Sequence, residues 1–248
     1  LISFTGVVTY LSFYGYETDR FNNIIKSEIQ KNEKEINLNF KKISVLLDIR
    51  KLTLFIKFID PELEYLSTKI PLNTLRANIN LVSLLKNDIG IKSILVETKY
   101  LDFHLIKPAI SQLNIGQIRQ DVFEKITKSK IQINADFSFN KNYEFNNNFI
   151  LNGIVKDTNF IHNEKNKISE LEFDFSYNDG QLKLENLSSN YNDITVDKGK
   201  IEFYETKGLI SFKADAKISF KNNKTALPII NKSFITGEKF SLKTDLSF

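Results

Sequence analysis

Residues 210–220, ISFKADAKISF, alternate apolar and polar side chains without a break. Ile210, Phe212, Ala214, Ala216, Ile218 and Phe220 fall on one side of an extended chain, with Ser211, Lys213, Asp215, Lys217 and Ser219 on the other. A strand of that length spans about 36 Å, roughly twice the usual. The same period recurs. Ile131, Ile133, Ala135, Phe137 and Phe139 share one side of IQINADFSF, and Leu171, Phe173, Phe175 and Tyr177 share one side of LEFDFSY. Asn178-Asp179-Gly180 then gives a hairpin turn into QLKLENL, and FSLKTDLSF closes the chain in the same style. Nearer the start, INLNF, ISVLLDI and LTLFIKF alternate likewise, punctuated by Pro61 and Pro71.

This pattern limits the fold. A parallel α/β sheet needs a helix after each strand and nearly continuous apolar runs, and neither is present. A sandwich, a closed barrel, or a long antiparallel sheet curled into an open apolar groove remain. Outer-membrane barrels also alternate, but they carry aromatic girdles, and this chain has no Trp.

Two short helices interrupt the strands. Phe21, Ile24, Ile25 and Ile29 fall at helical spacing behind Thr18 or Asp19, either of which is placed to cap. Ile115, Ile118, Val122, Phe123 and Ile126 predict a second helix over 117–128, and the stretch before it reads as strand up to Pro108. RANINL with SLLKND reads as a strand running into a helical turn. Residues 1–16, LISFTGVVTYLSFYGY, carry no charge, and Tyr10, Tyr14 and Tyr16 crowd their carboxyl end. A spanning helix needs about 20 residues, so the segment alone is short. The expectation is the outer half of a single N-terminal transmembrane helix, its tyrosines at the interface. A signal-peptide core and a buried first strand are the other readings. The division expected is 1–16 as anchor, 17–129 as a first unit of helix and strands, and 130–248 as a run of long strands.

The chemical inventory is thin. With no Cys there is no disulfide, thiolate ligand or cysteine nucleophile. His104 sits among Phe103, Leu105 and Ile106 and reads as a packed or edge-strand residue; His162, in HNEKNK, reads as loop. No HExxH, GxSxG or phosphate-cradling glycine loop occurs. Glu172 and Asp174 share a face but have no His or Cys neighbour to complete a metal or acid–base site. The expectation is a protein that is not an enzyme and holds no cofactor or metal. The net charge is +4, but only four of the 34 basic residues are arginines and the lysines are scattered singly. That argues against a nucleic-acid partner.

DPELEY at 60–65 and IPLNTLRANINLVSLL at 70–85, behind an apolar segment and an amphipathic helix, resemble the amino-terminal region of AsmA-like proteins. NGIVKDTNF at 152–160, residues 171–191 and DKGKIEF at 197–203 are similar to the repeating strands of that group, which includes TamB-type and YhdP-type proteins. The resemblance implies a single N-terminal pass in the bacterial inner membrane, with the bulk of the chain in the periplasm. It implies a chorein-like start at 17–129 and a β-groove from 130, along which phospholipids pass between inner and outer membranes, or which supports outer-membrane assembly. Its partners would be phospholipid acyl chains, the inner membrane, and outer-membrane or other envelope proteins. Phe137, Phe139, Phe173, Phe175, Phe212 and Phe220 would line the groove. An apolar groove gains about 0.8 kcal/mol per buried CH₂ while leaving the head group in water. The competing reading is a closed-core β-rich periplasmic module that binds another envelope protein without carrying lipid.

Overall fold

The computed structural model describes residues 2–32, 35–50, 53–80, 90–112, 124–140, 145–163, 166–191, 194–206, 209–220 and 239–247. They form a mainly antiparallel β structure with three helices, and the sheet is not closed. The chain divides into two compact units, residues 1–101 with 133–150, and residues 102–132 with 151–248.

Unit one begins with helix α1 (Ile2–Phe13), which carries no charge and whose polar residues are Ser3, Thr5, Thr9, Ser12 and the hydroxyl-bearing Tyr10. Among the described residues no helix is long and apolar enough to cross a membrane. Gly15, at φ +71°, turns the chain into strand β1 (Tyr16–Thr18), which pairs with β3 (Lys42–Asp48). Helix α2 (Asn22–Asn32) follows, one turn later than the capping residues suggest. Thr18 Oγ1 instead accepts the N–H of Arg20 at 3.2 Å, forming a local turn ahead of the helix. Of the four apolar positions expected on its inner stripe, Ile25 and Ile29 face the core, whereas Phe21 and Ile24 are exposed.

That core is formed by Leu38, Phe40, Ile43 and Phe58, all under 9% exposed. They come from β2 (Ile36–Asn39), its following residue, β3, and β4 (Thr53–Ile59). Phe40 and Phe58 meet edge to face, 4.9 Å between centroids, the geometry ring quadrupoles prefer. Lys26 of α2 lies over the Phe40 ring at 5.4 Å. The strand order is β1-β3-β4-β6-β7-β9, with β6 spanning Thr68–Asn80, β7 Ile91–Thr98 and β9 Ile126–Phe139. Strand β5 (Glu62–Tyr65) joins β2 to the first residues of β6, and the two-residue strand β8 is Leu101–Asp102.

Unit two opens with helix α3 (Phe103–Gln112), where the sequence reading places strand up to Pro108. Asp102 is a favoured cap residue directly ahead of it, and Phe103 and Ile106, three apart, are both buried. Helical spacing thus wins over the apolar run. His104 is exposed on this helix rather than packed in a strand. Of the helix expected over 117–128, residues 117–123 lie outside the described residues, while 126–128 belong to β9. SLLKND, 83–88, read as a helical turn, also lies outside them.

The strands of unit two are β10 (Phe145–Asn163), β11 (Asn166–Asn178), β12 (Gln181–Tyr191), β13 (Ile194–Thr206), β14 (Leu209–Phe220) and β15 (Lys239–Ser247), paired in sequence order. Strands β9 and β10 each contribute residues to both units. His162 lies in β10 rather than in a loop; its side chain falls outside the described residues. The β11–β12 turn forms as its sequence demands. Asn178 pairs with Gln181 across Asp179 (φ 48°) and Gly180 (φ 74°), the two left-handed positions of a tight hairpin.

Candidate functional site: an unbroken apolar face

Residues directly opposite each other on paired strands project to the same face, so the register builds rows across the sheet. One row runs Leu151–Tyr177–Leu182–Phe203–Phe212. The next runs Gly153–Phe175–Leu184–Ile201–Ala214–Leu242. A third, towards the other strand ends, is Phe160–Ile168–Tyr191–Ile194–Phe220.

These rows lie on one face although the apolar parity slips within four strands. In β10, Leu151 and Val155 are odd, then Phe160 is even; in β11, Ile168 is even, then Leu171, Phe173 and Phe175 are odd. Strand β12 changes from Leu182 and Leu184 to Leu187, and β13 from Ile194 and Val196 to Ile201 and Phe203. At each slip one residue adopts left-handed φ: Asp157 (52°), Glu170 (52°), Asn186 (54°) and Lys198 (53°). The pairings of β10 through β14 shift register around the same residues. Each is a β-bulge, one extra residue that bends its strand and resets the alternation. Strand β14 alternates without interruption and has none.

Three of the four bulge residues are tied down by polar side chains. Asn190 donates to Glu170 at 2.6 Å, Asn186 donates to Asp174 at 2.6 Å, and Lys130 lies 3.6 Å from Asp157. Beneath the first bulge, Ser129 and Thr158 are both buried and share a hydrogen bond of 2.7 Å.

The opposite face is charged. Glu202 stands in register with Lys183 on one side and Lys213 on the other, and Lys200 with Asp215. Lys200 Nζ lies 2.9 Å from Glu202 and 3.1 Å from Glu185, and Tyr204 donates its hydroxyl to Glu202. The Tyr204 hydrogen bond, then Lys200, hold the Glu202 carboxyl below its ordinary value. Glu202 and Glu185 raise Lys200, and Glu202 raises Tyr204. Asp174 and Glu185, like charges directly opposite, are each offset by a partner, Asn186 and Lys200. Among the described residues no group of His, Asp and Glu is placed to hold a metal ion.

Burial separates this face from a core. No hydrophobic side chain of β11, β12, β13 or the described part of β14 is buried; all are half-covered, by their cross-strand neighbours. Phe173 and Phe175 lie side by side in this condition on β11. Phe212 and Phe220 enter through register, opposite Phe203 and Ile194, their side chains outside the described residues. Phe137 and Phe139 belong to unit one, where Phe137 meets Phe149 at 6.2 Å between centroids. Residues missed by the sequence reading are Leu151, Leu184, Ile201 and Phe203, each carried by the same alternation once the bulges are placed.

A second apolar feature lies in unit one. Gly6, Val7, Tyr10, Leu11, Tyr16 and Val45 line a cleft of about 640 Å³ between α1, β1 and β3. Among the described residues, seven of the eleven exposed large hydrophobic ones fall between Val7 and Ile24, so the described exposed apolar surface concentrates in this stretch.

No protein-family profile, no characterised protein and no solved structure matches the chain.

Proposed function

We propose that the chain is a non-enzymatic, membrane-anchored envelope protein of the AsmA-like kind. In this reading the apolar face of β10–β14 is the floor of a groove that guides phospholipid acyl chains between inner and outer membranes, or supports outer-membrane assembly. One observation carries the reading: the apolar face stays unbroken through four bulged strands, yet none of its side chains in β11–β13 is buried. A closed core of this extent would bury several of them, as unit one does with Phe40, Ile43 and Phe58. Half-covered Phe, Ile and Leu offer acyl chains continuous apolar contact with no polar group to desolvate. The charge-free α1, with Tyr10 and Phe13 exposed and Tyr14 exposed just beyond it, supports seating that end in a bilayer, its rings at the interface. The test is native mass spectrometry of the protein purified from bacterial membranes, with a photoreactive residue at position 175 or at position 174 on the opposite face. Phospholipid that co-purifies and crosslinks from 175 but not 174 is expected. An empty protein with both probes silent would overturn the reading.

The closed core of unit one favours a second reading, an envelope interaction module without lipid transport. It predicts that empty, silent protein, together with capture of an envelope partner.

A further inference from the structure

Gly153 of β10 stands directly opposite Phe175 of β11. A Cβ built on Gly153 would lie 2.4 Å from Cζ and 2.5 Å from Cε1 of that ring, and 2.3 Å from the carbonyl oxygen of Gln132 on β9. The tip of the Phe175 ring therefore occupies the space that a side chain at 153 would need. A phenylalanine standing upright on a sheet would point its tip away from the backbone. Phe175 instead leans across β10, filling the gap over the glycine. The other glycine on this face, Gly199, shows no such interlock. Its Cβ would meet Leu187 at 3.2 Å, a contact that a small shift relieves.

We infer that Gly153 is a positioning residue that keeps Phe175 lowered, so that the ring forms floor rather than obstacle where acyl chains pass. This rests on the groove reading above, and it names the element that sets clearance there. The geometry supplies the reason. In the row Gly153–Phe175–Leu184–Ile201–Ala214 the largest side chain lies beside a position with none. Any side chain at 153 must push the ring upward or the β9 carbonyl aside. Leu184, the register neighbour of Phe175 on β12, is the natural observation point, since a raised ring would shield it from a passing chain.

The experiment compares the wild type, Gly153→Ala, Phe175→Leu and the double variant, using the full chain and two readouts. The first is the NMR position of the Gly153 Hα protons, which a ring at this distance displaces. In Phe175→Leu the displacement should vanish. The second is photocrosslinking of co-purified phospholipid from a photoreactive residue at 184. Gly153→Ala should lose most of the crosslink, Phe175→Leu should keep it, and the double variant should regain it, because the shorter side chain no longer needs the gap. If the Hα protons are not displaced in the wild type, the ring is elsewhere and the inference falls, whatever the lipid result. It also falls if Gly153→Ala crosslinks like the wild type. A double variant as impaired as Gly153→Ala would assign the effect to the Gln132 carbonyl and overturn the role of the ring. Displaced protons in a wild-type protein that captures no phospholipid would sink the groove reading itself and reduce Gly153 to a packing residue.

Discussion

Leu187 lies directly opposite Gly199, each one residue beyond a left-handed residue of its own strand. The Leu187 Cβ and Cδ2 would both be 3.2 Å from a Cβ on Gly199. Thr158 and Leu171 form the equivalent pair on β10 and β11, just beyond Asp157 and Glu170. Bulges are thus directly in step within the pairs β10–β11 and β12–β13, while between β11 and β12 they are offset, with Glu172 and Ser188 paired between them. The apolar face crosses the irregularity intact.

Left-handed φ costs a non-glycine residue about 1 kcal/mol or more. Lys198 is exposed, so its substitution isolates that cost from packing. Lys198→Gly should raise stability by about 0.5–1 kcal/mol, and Lys198→Val should lower it by about 1–2 kcal/mol. Urea denaturation midpoints of the two variants test this. Equal midpoints would mean that residue 198 is not held left-handed in solution.

The β5–β6 hairpin turns through Leu66 (φ 48°) and Ser67 (φ 64°), with Tyr65 paired to Thr68. Two left-handed residues in a two-residue loop favour Asn-Gly, and leucine is among the poorer choices for the first position. Leu66→Asn with Ser67→Gly should stabilise the protein by about 1 kcal/mol. A fall in the denaturation midpoint would show that Leu66, half-buried in this turn, contributes more by packing than its backbone costs.

These two hairpins show why part of the fold is legible in the sequence and part is not. Asp179-Gly180 announces its turn because glycine tolerates positive φ, whereas Leu66-Ser67 makes a similar turn from residues that do not advertise it. The bulges hide for the same reason. Asp157, Glu170 and Lys198 read as ordinary outward polar residues, and the parity slip beside each looks like the end of a strand. Strand β14, with no bulge, is read whole. Helix α3 was obscured because Phe103, Leu105 and Ile106 form a short apolar run that suits either strand or helix, and tertiary burial of Phe103 and Ile106 decides it. Of the proposed site, the phenylalanines of β11 were visible by alternation, but the Gly153–Phe175 interlock depends on two strands meeting and leaves no local trace.

Truncating the core and the apolar face should give different penalties. Phe58 is 8% exposed against Phe40 and Ile43, so Phe58→Ala should cost about 3–5 kcal/mol. Phe173 is only half-covered, and Phe173→Ala should cost about 1–2 kcal/mol, since less apolar area returns to water. Denaturation of the lipid-free protein measures both. A Phe173→Ala penalty matching that of Phe58→Ala would mean that the β11 face is covered in solution, and the groove reading would lose its support.

The ion-paired ladder on the opposite face should make stability depend on pH at both ends of the range. The Glu202 carboxyl is held below the ordinary 4.5 by the Tyr204 hydroxyl first and Lys200 second, with Lys183 adding attraction across the strand pair. A carboxylate with a lowered folded value stabilises the fold above its unfolded value and loses that contribution as pH falls through the folded one. Glu202→Gln should therefore be less stable than the wild type at pH 7, and the gap should close progressively below about pH 4.5. Tyr204 and Lys200 are raised, so their contribution is present below their unfolded values and disappears as pH climbs through the folded ones, above about 10. Tyr204→Phe should accordingly converge on the wild type in strong alkali, and its deficit should also narrow in acid, where Glu202 loses the charge that accepts the bond. Denaturation midpoints followed from pH 3 to 11 give the answer, and a Glu202→Gln deficit that stays constant through the acid range would place its origin in packing rather than charge.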